Sequence, residues 1–96
     1  MSDNKELNVI CLYLVNGQVV IGNLVDSESS IELEYPYNLR INHEQKLEYI
    51  PYLSEFTDDD VFAFNSNVVI NAFSPHDKYK TKYLEIYNQS NKQLLS

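Results

Sequence analysis

Few side chains in this 96-residue chain have the character that covalent or acid–base chemistry needs: Cys11, His43 and His76. Cys11 lies inside the apolar run Val9–Val15, where a thiol behaves as a small hydrophobe. His43 falls in a loop beside Glu44, and His76 at the start of a helical pattern. No Ser–His–Asp order, metal-ligand spacing or phosphate-cradling glycine loop accompanies them. No catalytic residue, metal site or cofactor is therefore expected, and the chain reads as a non-enzyme. Asp58, Asp59 and Asp60 put three carboxylates in a row, as a Mg²⁺ or Ca²⁺ site would want. Neighbouring residues in one turn point apart, however, and the glycine and spaced oxygens of a calcium loop are missing, so the run reads as a solvated turn. Lys78, Tyr79 and Lys82 offer cations and a ring for a nucleic-acid backbone and its bases. The same segment has a plainer reading: Tyr79, Tyr83 and Tyr87 recur every four residues and would cover a sheet, with the lysines on the solvated face.

Charge sets limits on partners. Fourteen acids against seven bases give a net charge of −7, the opposite of a protein that coats phosphates. Residues 1–77 carry three bases and thirteen acids, and residues 78–96 four lysines and one acid. An acidic body thus carries a mildly basic C-terminal segment. One cysteine allows no internal disulfide and suits a reducing, cytoplasmic setting. The longest apolar run, Val9–Val15, is too short for a bilayer, which needs about 20 residues, and no small-residue cleavage site follows it. A chain of this length would be marginally stable on its own, because a small domain buries a small share of its surface.

The elements that must position these groups are mostly strands. Val9–Val15 is apolar on both faces, as in a strand covered on two sides. Asn16-Gly17 marks a tight hairpin of type I′, with Val19–Val25 as the return strand and Gly22 within it marking a bend or a close backbone approach. After a polar loop, Ile31, Leu33 and Tyr35 alternate with Glu32 and Glu34, and the alternation resumes from Tyr37 to Ile41. Pro36 lacks an N–H, so it must sit at a bulge or an unpaired position. Leu47–Leu53, Val61–Asn65 and Val68–Phe73 complete the β pattern, the last two joined by a tight turn at Ser66-Asn67. Ser74-Pro75-His76-Asp77 reads as a helix start with Ser at the cap and Pro in the first turn. The spacing predicts a helix over about 75–88. The expected fold is mainly β: a small, strongly bent, five-stranded antiparallel barrel with one C-terminal α-helix. The whole chain forms one domain, with residues 1–7 flexible, 8–73 the barrel, 74–89 the helix and 90–96 a frayed tail.

Leu14–Leu24, with Gly17, Val20, Gly22 and Leu24 in register, resembles the first motif of the Sm/LSm family. Ile31 and Leu33 keep the hydrophobic positions of that motif, while Glu28 and Glu32 stand where it usually carries Asp and Asn. Val61–Phe73 has the strand–turn–strand form of the second motif, with Phe64-Asn65 in the Arg-Gly place. The strict match covers about eleven residues and the pattern about sixty. The segment 37–57 is longer than the family minimum, and the helix is C-terminal where most Sm proteins carry theirs at the N-terminus. The chain is most similar to divergent Sm-like proteins of marine phages, which would place it in the host cytoplasm.

The resemblance implies an SH3-like barrel whose subunits pair edge strands into a cyclic homo-oligomer of five to seven copies. The residues support such pairing independently, since Val61–Phe73 is thirteen residues without a charge and an uncharged edge strand needs cover. Val61, Phe62, Ala63, Phe64, Val68, Val69, Ile70 and Phe73 are the candidate interface. In Sm proteins a base stacks on the first-motif loop, the nearby Asn reads its edge and the second-motif Arg stacks from the other side. Carried over, Glu32 takes the reading position and Phe64 the stacking one. Ser29, Ser30, Asn65, Ser66 and Asn67 would add uncharged hydrogen bonds around a ring pore, although all five are also what turn geometry favours. The expected function is a non-catalytic ring that binds single-stranded RNA or DNA. The alternatives are an acidic protein–protein ring for a basic partner, or a nucleic-acid mimic, and a structural phage component.

Overall fold

The computed structural model describes residues 7–25 and 30–95. Six strands and one helix follow in order: β1 (Val9–Leu14), β2 (Val19–Val25), β3 (Ile31–Ile41), β4 (Leu47–Pro51), β5 (Val61–Phe64), β6 (Val69–Phe73) and α1 (Asp77–Leu95). All strand pairs are antiparallel, in the order β4-β3-β2-β1-β6, with β5 also paired to β3. The expected mainly β fold with a C-terminal helix is the one observed.

The strand count differs from five for a simple reason. Tyr37 pairs with Pro51 at one end of β3, and Glu34 with Val61 at the other. Strands β4 and β5 therefore lie end to end along β3, and residues 52–60 loop out between them. Five positions cross the sheet, and the outermost is occupied by two short strands.

The register shifts at two places, between Tyr13 and Leu14 where β1 meets β6 and between Ile21 and Asn23 where β2 meets β3, and the second bends the long strand β3. Ile21 pairs with Tyr37 and Asn23 with Glu34, so Tyr35 and Pro36 together oppose Gly22. Tyr35 takes φ +51, which a bulge can impose but a regular strand does not. A Cβ on Gly22 would sit 3.0 Å from the Leu33 Cβ and 3.3 Å from the Pro36 Cα. Glycine is required there by close approach, as its place in the strand suggested.

The β1–β2 hairpin corrects the type I′ expectation. Leu14 N–H donates to the Gln18 carbonyl and Gly17 N–H to that of Leu14. Gly17 takes φ +90, while Asn16 stays outside the left-handed region. This is the three-residue hairpin, a type I turn closed by a left-handed glycine.

Curling divides the apolar residues into two cores. Inside the bent sheet, Leu12, Leu14, Val20, Leu33 and Phe64 pack together. On the outer face, Val9, Cys11 and Ile21 pack beneath Tyr83 of the helix. This explains why β1 is apolar on both faces: one faces the sheet interior and the other the helix. Tyr83 is fully buried, and its hydroxyl donates to the carbonyls of Glu34 (2.8 Å) and Tyr35 (3.1 Å). The helix is thereby pinned to the bulge that bends the sheet. Leu7 joins this core; residues 1–6, the rest of the expected flexible N-terminus, lie outside the described residues.

The helix begins later and ends later than expected. His76 accepts from the N–H groups of Tyr79 and Lys80, so it is the residue before the first turn, and Ser74 and Pro75 lie ahead of the helix. It continues to Leu95 through the stretch expected to fray, because no Gly or Pro interrupts the sequence after Asn88. No described helix is long and apolar enough to cross a membrane.

Candidate functional site

The sequence-derived candidates separate into two groups. Ile31 pairs with Phe64 and Glu32 with Ala63, so Ser30 lies alongside Asn65 where β3 leaves the loop. Ser30, Asn65, Ser66 and Asn67 thus collect at one end of the sheet, with Asn65–Asn67 exposed. Ser29 lies outside the described residues. Part of this end is committed to local structure. The Asn65 side-chain oxygen accepts the Asn67 N–H (2.9 Å), and its carbonyl the Val68 N–H (3.0 Å), closing one turn of 3₁₀ helix over Ser66–Val68. The Ser66 hydroxyl and Asn67 carboxamide remain at the surface.

Glu32 is half-buried on the outer face, in phase with Glu34 and out of phase with the inward Leu33. Phe64 requires a correction. It is 5% exposed and belongs to the inner core, with its ring 5.5 Å from that of Tyr52. It offers no free face to a base, and its side chain is not part of an exposed interface. Phe62 and Phe64 point inward while Val61 and Ala63 point out. Four apolar residues in succession conceal that phase in the sequence.

Lys78, Tyr79 and Lys82 form the second group, beyond the far end of β6 from the Ser66-Asn67 turn. Both lysines are exposed, and Lys78 Nζ stands 5.1 Å from the centre of the Tyr79 ring. Tyr79 is half-buried, and its carbonyl accepts the Tyr49 hydroxyl at 3.0 Å. Tyr83 and Tyr87 continue this face over the sheet, with Tyr87 edge-on to Tyr35 at 5.2 Å. The tyrosine ladder therefore covers the sheet.

The outer edges of the sheet carry the other candidates. Strand β5 pairs with β3 and β6 with β1, and no further partner strand is present among the described residues. Val61 (44% exposed), Ile70 (58%) and Phe73 (40%) lie along these two edges, while Val68 (37%) ends the 3₁₀ turn before β6 and its carbonyl accepts the Val15 N–H. Ala63 is also exposed, and Phe62 and Val69 are half-buried.

Two concavities were not foreseen. One, of about 250 Å³, has walls from Tyr35, Tyr52, Phe62 and the Asp58–Asp60 turn. Tyr35 reaches Asp60 through its hydroxyl at 3.4 Å, and burial together with that carboxylate raises its pKa. The other, of about 490 Å³, is an apolar groove between the start of α1 and the sheet. Cys11 lies at its floor, and burial pushes its thiol up to about 11, so it stays protonated and inert at neutral pH. His43 and His76 are both exposed. No group of three His, Cys, Asp or Glu is placed to hold a metal ion among the described residues. Phe56 is 82% exposed at the tip of the 52–60 loop; a lone aromatic in the polar run Ser54–Asp60 was the available signal for it.

No protein-family model matches the chain, and no curated protein matches it significantly.

Proposed function

We propose that the protein is a non-catalytic, Sm-like assembly module that closes into a cyclic homo-oligomer and contacts single-stranded RNA or DNA. The carrying observation is the pair of uncharged outer edges. An exposed edge is a template for another strand, and β5 and β6 lie at opposite limits of the sheet. Joining the β5 edge of one copy to the β6 edge of the next is heterologous, so a rotation that closes gives a ring. The added strand contacts also offset the small core.

In such a ring the Ser30, Asn65, Ser66 and Asn67 ends recur around one opening. Their neutral donors and acceptors can pair with base edges as well as with phosphate oxygens, and need no excess of cations on the acidic body. With Phe64 buried, affinity rests on hydrogen bonds at this end, with Lys78 and Lys82 as secondary backbone contacts. The lone buried thiol suits a cytoplasmic, reducing setting. Filter binding of single-stranded oligonucleotides over a salt series tests the reading. Binding that changes little with salt and is lost in Ser66→Ala/Asn67→Ala supports it, and no binding at any salt concentration contradicts it.

A second reading, a protein–protein ring for a basic partner, is favoured by one specific observation. The Asp58–Asp60 carboxylates and the rings of Tyr35, Tyr52 and Phe62 surround one concavity. Carboxylates beside aromatic rings suit a lysine or arginine side chain. This reading calls for no oligonucleotide binding and a salt-sensitive complex with a basic protein.

A further inference from the structure

Four features are unexplained by the fold: an apolar groove beside the helix start, an exposed Phe56, an acidic turn before β5, and a run of lysines early in α1. The sheet topology brings them together in a second copy of the chain. Every pair in the sheet is antiparallel. Continuing that pattern, β5 of one copy runs antiparallel to β6 of its neighbour. Val61 then faces the Phe73 end, and the residues before Val61 meet those after Phe73. The former are Asp58, Asp59 and Asp60; the latter lead through Ser74 and Pro75 into the helix.

Charge selects this alignment. The helix N-terminus carries the positive end of the backbone dipole, and Lys78, Lys80 and Lys82 outnumber Asp77 in its first turns. A parallel alignment would instead lay the three carboxylates beside the uncharged Ser66-Asn67 turn. Shape agrees. The groove opens beside Phe73 and is walled by Ile41, Leu47, Phe73, Pro75 and Tyr79. Ile41 is 66% exposed and Phe73 40%, so its apolar surface faces solvent in one copy alone. Phe56 stands five residues before Val61, within a reach of about 17 Å. The Phe56 N–H donates to the Leu53 carbonyl at 3.0 Å, and Leu53 takes φ +56, so the loop presents the ring from a defined turn. The groove's volume, about 490 Å³, falls in the range of pockets that enclose apolar groups.

We infer that the 52–60 loop is an intersubunit clasp: Phe56 of one copy fills the groove between α1 and the sheet of the next, and Asp58–Asp60 lie against that copy's helix start. The clasp rests on the edge-paired assembly proposed above and adds a second contact to it. It assigns the long 52–60 excursion a role that pairing of β4 and β5 with β3 does not need.

Cysteine pairs in the full chain test it. Phe56→Cys/Ile41→Cys should give a ladder of covalent oligomers under mild oxidation. Phe56→Cys/Asn67→Cys, the pair a parallel alignment would approximate, should not. Phe56→Ser should raise the dissociation constant of assembly at least tenfold, measured by light scattering on dilution, with the circular dichroism spectrum unchanged. If the protein still assembles but the first pair gives no ladder, both pairs crosslink equally, or Phe56→Ser leaves the constant unchanged, the clasp is overturned and edge pairing stands. A strictly monomeric wild type overturns both.

Discussion

Tyr83 joins the helix to the sheet through one buried hydroxyl that donates to two carbonyls at the β3 bulge. Burial holds its pKa far above the usual tyrosine value, so it remains a donor at all physiological pH. Tyr83→Phe leaves the ring in place and strips both carbonyls of that partner, which should cost about 1–2 kcal/mol. Urea unfolding should show the loss as a lower midpoint with an unchanged slope. Cys11 provides a second check at the same scale. Its folded-state value of about 11 lies above the ordinary thiol value of 9.0, so the unfolded chain releases this proton first. Its contribution is therefore complete below pH 9 and is lost as pH rises toward 11. Thiol labelling at pH 8 should be slow in the native protein and fast in denaturant; rapid native labelling would place Cys11 elsewhere. The burial of Cys11 was legible in the sequence because apolar residues surround it on both phases of the strand. The inward turn of Phe64 was not, because Val61–Phe64 is apolar at every position and alternation leaves no mark. The uncharged turn at Asn65–Asn67 was legible as a turn, while the pairing that sets Ser30 beside it depends on residues over thirty positions apart.

Among the elements, the bulge at Tyr35-Pro36 and its partner Gly22 give the sheet its bend. Gly22→Ala forces a methyl group against the Leu33 Cβ at 3.0 Å and the Pro36 backbone at 3.3 Å. The neighbours are buried and one is main chain, so the change should cost about 1–3 kcal/mol. A thermal midpoint equal to wild type would contradict the tight crossing. Both residues announced themselves locally, one by lacking a side chain within a strand and the other by lacking an N–H. The division of the β3 partner into β4 and β5 did not, because which strand pairs with which is decided by long-range register. The helix limits differ from those the spacing predicts at both ends, for local reasons. Ser74 and Pro75 imitate a helix start that the chain makes at His76, and nothing after Asn88 stops a helix that tertiary contacts have begun.

For the whole molecule, the edges matter most. A lysine at Ala63 on the β5 edge, or at Ile70 on β6, adds a charge of the kind that natural edge strands use against pairing. Both positions are exposed, so Ala63→Lys and Ile70→Lys should leave the protomer folded and reduce assembly to monomer at micromolar concentration. Retained assembly in both variants would place the interface elsewhere. The acidic body and the basic helix take on a spatial meaning at this scale, since the proposed edge pairing would set the acids of one copy beside the lysines of the next. Light scattering across a concentration series is the most direct test of the assembly on which the proposed function rests. A single closed species of five to seven times the 11.2 kDa protomer mass is expected, independent of concentration above its dissociation range. A strict monomer at all concentrations would contradict it.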